Sequence, residues 1–217
     1  MKNQKIRLLV GILCLMTSNS FGQQQINLPD KLQNNLIEAV NRMITLYEDH
    51  PGAVEMNAKN EDGLGILQDI KFEKGIIEVE LLGENKPGRS FIGIVFNIQN
   101  DQTYEAIYFR PFNFVAEEQI RKDHMVQYIF HPDYTWKKLR EERTGEFENE
   151  ITDPPNPNDW FKAIIHITDE KVTVSINGRS DPVLAVDRLT LSKSNKIGIW
   201  TGFGSSGRFR NLVLRME

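Results

Sequence analysis

Of the 217 residues only one is cysteine, Cys14, and none follows it. Once the first segment is set aside, the chain therefore has no disulfide, no thiolate nucleophile and no zinc–thiolate site, and its stability must come from a buried core. Long apolar runs are also missing. The one run near the N-terminus, Leu8 to Met16, is far short of the roughly 20 residues that cross a bilayer as a helix. Positive charge is not in excess either: the formal charge is −4, and removing residues 1–22, which hold Lys2, Lys5 and Arg7 but no acid, takes it from −4 to −7. Phosphate recognition needs a concentrated positive field, so nucleic acid is not an expected partner.

What is present begins with "MKNQKIRLLVGILCLMTSNSFGQQQ". A charged start, an apolar stretch and Ser20-Phe21-Gly22, small residues around a large one, follow the order of a secretory signal peptide. Cleavage near Gly22 would make the protein secreted or periplasmic, with no transmembrane segment in the mature chain. Cys14 is preceded directly by Leu13, where a lipobox carries a small residue, so lipidation is not expected. Residues 23–41 read as an N-terminal segment with a short helix in "PDKLQNNLIEAV", and residues 42–217 as one domain.

Periodicity in that domain is mostly two. In "GIIEVELL" Ile77, Val79 and Leu81 alternate with Glu78 and Glu80, and "KVTVSING" repeats the pattern before an Asn177-Gly178 turn. Further strand candidates are "MITLYE", "GAVEMNA", "SFIGIVFN", "YEAIYFR", "MVQYIF", "WFKAIIHIT", "KIGIW" and "FRNLVLR", separated by turn clusters such as "KNEDG" and "ENKPG". About ten short strands and almost no helix predict an all-β antiparallel sandwich or barrel.

Motifs with fixed chemistry are weak. "GFGSSG" matches a dinucleotide-binding pattern in letters, but no helix follows it, so it reads as a hairpin loop. Glu78 and Glu80 share a strand face at a spacing suited to acid and base roles, the plain alternative being a solvated face. The four histidines show no close ligand spacing. No metal site or cofactor is expected, although Asp153, Asn156, Asn158 and Asp159 in "DPPNPND" offer oxygens that calcium could use and that an ordinary turn also demands.

The stretches "SFIGIVFNIQNDQTYEAIYFRPFNF", "HMVQYIFHPDYTWKKLREERTGEFENE", "PNDWFKAIIHI" and "KIGIWTGFGSSGRFRNLVL" resemble secreted concanavalin A-like jelly-roll proteins grouped near the 3-keto-disaccharide hydrolase domains. The resemblance spans about residues 40–215 and implies a two-sheet antiparallel jelly-roll sandwich whose concave sheet carries any sugar site. The chain departs from the hydrolase pattern at Phe91-Ile92-Gly93-Ile94, where those domains tend to read Asn-Ser-Gly-Ile, so catalytic residues do not carry over.

Strand phase nominates a site. Tyr108 and Arg110 share one face, with Asn97 from the preceding strand and Gln127 and His131 from the following one; Tyr134 and Trp136 would supply an aromatic platform beyond it. Trp160 and Trp200 read as core, and the Lys and Arg residues from Lys137 to Arg143 as a solvated run. Three functions follow: a carbohydrate-binding jelly roll using these residues; a hydrolase or lyase on glycosides such as 3-keto-disaccharides, with Glu78, Glu80 or Glu105 exchanging protons with His131; or a non-catalytic protein-interaction module.

Overall fold

A computed structural model describes residues 22–217. All of the expected leader except Gly22 lies outside the described residues. The strands are β1 Gln23–Ile26, β2 Ile37–Val40, β3 Ile44–Leu46, β4 Ala53–Met56, β5 Gly63–Leu67, β6 Gly75–Leu82, β7 Ile92–Phe96, β8 Tyr104–Phe109, β9 Val126–His131, β10 Glu148–Asn149, β11 Phe161–Ile167, β12 Lys171–Ile176, β13 Leu184–Asp187, β14 Ile197–Thr201 and β15 Gly207–Met216. Three short helices interrupt them: α1 Leu28–Gln33, α2 Gln119–Lys122 and α3 Trp136–Glu142.

These strands form two antiparallel sheets, the jelly-roll sandwich expected from the sequence. One runs β10-β9-β8-β7-β14-β5-β2; the other runs β13-β12-β11-β6-β15-β4-β3, with β1 also on β15. The long strand β15 gives one edge to β6 and divides the other, Gly207 to Arg210 pairing with β4 and Leu212 to Arg215 with β1. A bulge at Asn211, at φ 51°, separates the two halves. Alternation fills the space between the sheets: Ile77, Val79, Leu81, Ile165 and Val174 from one meet Ile92, Ile94, Ile107 and Phe109 from the other, all fully buried. Phe109 and Phe161 join the layers edge to face at 5.1 Å. Each such side chain contributes about 1.5–3 kcal/mol relative to exposure.

Several expectations are corrected. The predicted helix "PDKLQNNLIEAV" ends at Gln33, because Asn35 turns the chain at φ 56° and Ile37–Val40 then pairs with β5. Residues 23–41 are accordingly no separate segment, since β1 and β2 are built into the two sheets. Strand β5 was not predicted because "GLGIL" dilutes its apolar pattern with glycine. "GFGSSG" is not a hairpin: β14 lies in one sheet and β15 in the other, so it crosses between them. The charge run contains helix α3, started by Thr135, whose side chain accepts from the Lys138 N–H. Trp160 leaves the core for the outer face of the eight-stranded sheet, half-buried beneath the Arg210 guanidinium at 4.2 Å.

Candidate functional site: a groove on the seven-stranded sheet

A groove of about 820 Å³ lies on the outward face of the seven-stranded sheet. Its floor follows from register. Trp200 on β14, Gly93 on β7, Tyr108 on β8, Gln127 on β9 and Glu148 on β10 stand in one cross-strand row. Gly93 has no side chain to part its neighbours, so the Tyr108 and Trp200 rings approach to 4.9 Å. A Cβ there would fall 2.0 Å from the Ile107 carbonyl oxygen, so the position admits only glycine. Phe91 packs edge to face on Tyr108 at 6.2 Å. Two exposed aromatics reach the groove from outside the sheet, Trp136 from α3 and Phe203 from the crossing between β14 and β15.

Polar groups are held beneath this floor. Arg110 donates to the Tyr108 hydroxyl at 2.7 Å, to the His124 carbonyl at 2.9 Å and to the Gln127 side-chain oxygen, which also accepts from the Tyr108 hydroxyl at 2.7 Å. Burial pushes the Tyr108 phenol up to about 12 and lowers Arg110 from its ordinary value. Glu148 accepts from Arg140 at 3.0 and 2.8 Å, sits 2.8 Å from His124 Nδ1 and lies 3.7 Å from Arg110. One buried carboxylate thus serves two guanidinium groups. The Trp200 indole N–H and the Gln127 amide N–H₂ are buried without a protein acceptor.

Asp62 and His131 form a second polar cluster at the groove. Asp62 Oδ2 accepts from the Tyr104 hydroxyl at 2.8 Å and lies 3.9 Å from His131 Nε2, while the imidazole stacks on the Tyr104 ring at 5.1 Å. Burial raises the Asp62 carboxyl and lowers the His131 imidazole, so each is pushed toward its neutral form.

Of the residues nominated by strand phase, Tyr108, Arg110, His131 and Trp136 line the groove, and Gln127 lies under its floor. The others are elsewhere. Asn97, at φ 50° just past β7, turns its amide to Glu105 and the Ser192 carbonyl. Tyr134 packs against the core and bridges to Phe130, away from the lining. Glu105 faces the inter-sheet core, fully buried, ion-paired with Arg188 and bonded to the Tyr128 hydroxyl. Glu78 and Glu80 stand on the outer face of the opposite sheet, paired with Lys162 and Arg215 and with Arg210. None of the three glutamates comes together with His131 in the groove.

Trp200 is buried in the core cluster as expected and also lines the groove, while Asp62 was missed as a groove residue because a turn cluster carries no phase. In "DPPNPND" the Asn156 and Asn158 side-chain oxygens accept from the Asn158 and Asn85 N–H groups, and Asp153 pairs with Arg179. Among the described residues no group of three or more His, Cys, Asp or Glu side chains is placed to hold a metal ion.

No protein-family model matches the chain, and neither does any curated protein sequence. Solved structures do share its fold. A carbohydrate-binding module from Bacillus subtilis, CBM66, superposes with TM-score 0.58 at 10% identity, over 82% of this chain and 95% of that one. A galectin-like protein of unknown function from the same organism gives 0.57 at 12%, over 88% and 94%. The lumenal domain of VIP36, bound to calcium and Man3GlcNAc, gives 0.54 at 13%, over 84% of each chain. At this identity the likeness is one of fold alone, a jelly-roll sandwich.

Proposed function

We propose that this chain is an extracytoplasmic carbohydrate-binding protein and that the groove on its seven-stranded sheet holds the sugar. The carrying observation is the aromatic lining of the groove: Trp136 and Phe203 stand exposed over the buried Trp200 and Tyr108 rings, which meet across Gly93, with Arg110, Asp62 and His131 beside them. Aromatic faces stack on the apolar faces of pyranose rings while planar polar groups take hydroxyls, the mixture a selective saccharide pocket needs. Neighbours in fold that bind glycans support the reading. The leader-like N-terminus supports export, and no helix of the described residues is long and apolar enough to cross a membrane. Calorimetric titration with an oligosaccharide panel should find a saturable ligand, and Trp136→Ala should weaken it about tenfold through loss of one stacking face. Retention of full affinity would remove Trp136 from the site.

A second reading has its own observation. Asp62 is a carboxylate beside a neutral-leaning imidazole in the groove, an arrangement able to exchange protons with a bound glycoside. A hydrolase or lyase acting on glycosides such as 3-keto-disaccharides would use this pair in place of Glu78, Glu80 or Glu105. Product release by the wild type that Asp62→Asn abolishes while leaving binding intact would establish it; saturable binding without turnover would leave the lectin reading.

A further inference from the structure

We infer that the saccharide held by this groove carries an anionic group, a carboxylate or a sulfate, which meets Arg121 and Lys137. The inference rests on the proposed sugar site and names its ligand class. Whereas the chain as a whole is acidic, at −4, the groove reverses the sign. Arg110, Arg121, Lys137 and Arg140 line it against one lining carboxylate, Asp62, and the Glu148 carboxylate buried behind. Four cations stand against two acids. Like charges lining one groove repel each other unless an opposite charge is drawn in, and a walled groove focuses such a field.

The cations divide by what they already hold. Arg110 is spent on Tyr108, Gln127 and the His124 carbonyl, and Arg140 on Glu148 while lying 5.2 Å over the Trp136 ring. Arg121 and Lys137 are different. Their nearest acids, Glu118 at 3.5 Å and Glu141 at 3.8 Å, are well exposed and outside the groove lining, in loose pairs that water screens. Arg121 is held in place by the Phe112 carbonyl at 3.1 Å and the Asn113 side chain at 3.3 Å. A fixed guanidinium suits a planar or tetrahedral anion, and Lys137 adds a mobile point charge. Because Trp136 precedes Lys137 at the start of α3, the aromatic edge and the cation arrive together.

The test is calorimetric titration with matched pairs: oligogalacturonate and its methyl ester, and a sulfated and a desulfated galactan oligosaccharide. The charged member of at least one pair should bind at least tenfold more tightly than its neutral partner, with affinity falling as salt rises from 50 to 500 mM. The double variant Arg121→Gln/Lys137→Gln should lose about tenfold for the anionic ligand and keep its affinity for any neutral sugar, as expected for removal of charge-assisted contacts. Equal or tighter binding of the neutral members would overturn the charge assignment and leave the sugar site standing. Anion binding unaffected by the double variant would also overturn it, by placing that binding elsewhere. If no member of either pair and no neutral glycan binds, the proposed function fails and takes this inference with it.

Discussion

Gly93 is where the groove depends on the absence of a side chain. A methyl group there would meet the Ile107 carbonyl at 2.0 Å and the Tyr108 Cα at 2.6 Å, both backbone atoms that cannot rotate away. Gly93→Ala should therefore cost about 1–3 kcal/mol of stability, as overpacking does, and blunt saccharide binding by separating Trp200 from Tyr108. Urea unfolding and ligand titration on the same variant check both effects. Glu105 makes the opposite case, a charged residue that the groove does not use. With Glu105 fully buried and Arg188 nearly so, Glu105→Ala strands a guanidinium in the core and should lower stability by about 3–5 kcal/mol. If folded material retains wild-type sugar affinity, Glu105 is structural; a loss of affinity larger than the unfolded fraction explains would contradict its placement.

Helix α3 does for the groove what no strand could. A strand would send alternate side chains to opposite faces, but one helical turn brings Trp136, Lys137 and Arg140 to the same groove. Its seven residues are too few to be stable alone, so packing of Leu139, at 2% exposure, and the Thr135 cap fix it. Thr135→Ala should cost about 1 kcal/mol and reduce ligand affinity with little change in the far-ultraviolet spectrum. Unchanged affinity would show that the helix is fixed by Leu139 and the Arg140–Glu148 pair without the cap. The reading of Lys137 to Arg143 as a solvated run holds for the exposed Lys137–Glu141 and Arg143–Glu146 pairs but misses the helix, because four cations among those seven residues hide the single apolar anchor, Leu139, that binds it to β9.

For the molecule as a whole, the sheets protect two histidines from protonation. Burial lowers both His124 and His131 below the ordinary 6.5, so below that pH the unfolded chain binds protons that the folded chain refuses. Stability should fall as pH drops from 6.5 toward the lower folded-state values. On the eight-stranded sheet, burial alone would raise Glu78 and Glu80, but their Lys and Arg partners outweigh it and hold both below 4.5. Their contribution is present above 4.5 and is lost as pH falls further. Urea midpoints at pH 7.5 and 5.5 should differ for the wild type, and His131→Gln should narrow the gap. An undiminished gap would assign the effect to His124 or to other groups.

Much of this was determined by the sequence itself. Period-two runs such as "GIIEVELL" dictate a strand with one buried face, since an odd shift would turn Ile77, Val79 and Leu81 to water. Tyr108 with Arg110, and Gln127 with His131, share a face within each strand for the same reason, and the register of Tyr108 opposite Gln127 sets the two pairs on one side of the sheet. Alternation cannot say which sheet a strand joins or what covers its second face. Glu78 and Glu80 are in phase with each other yet stand across the sandwich from His131, while Glu105 is out of phase with Tyr108 and so points inward. Asp62, Trp200 and the α3 cations meet at the groove only because β5, β14 and β9 belong to one sheet, and that pairing is a property of the folded chain.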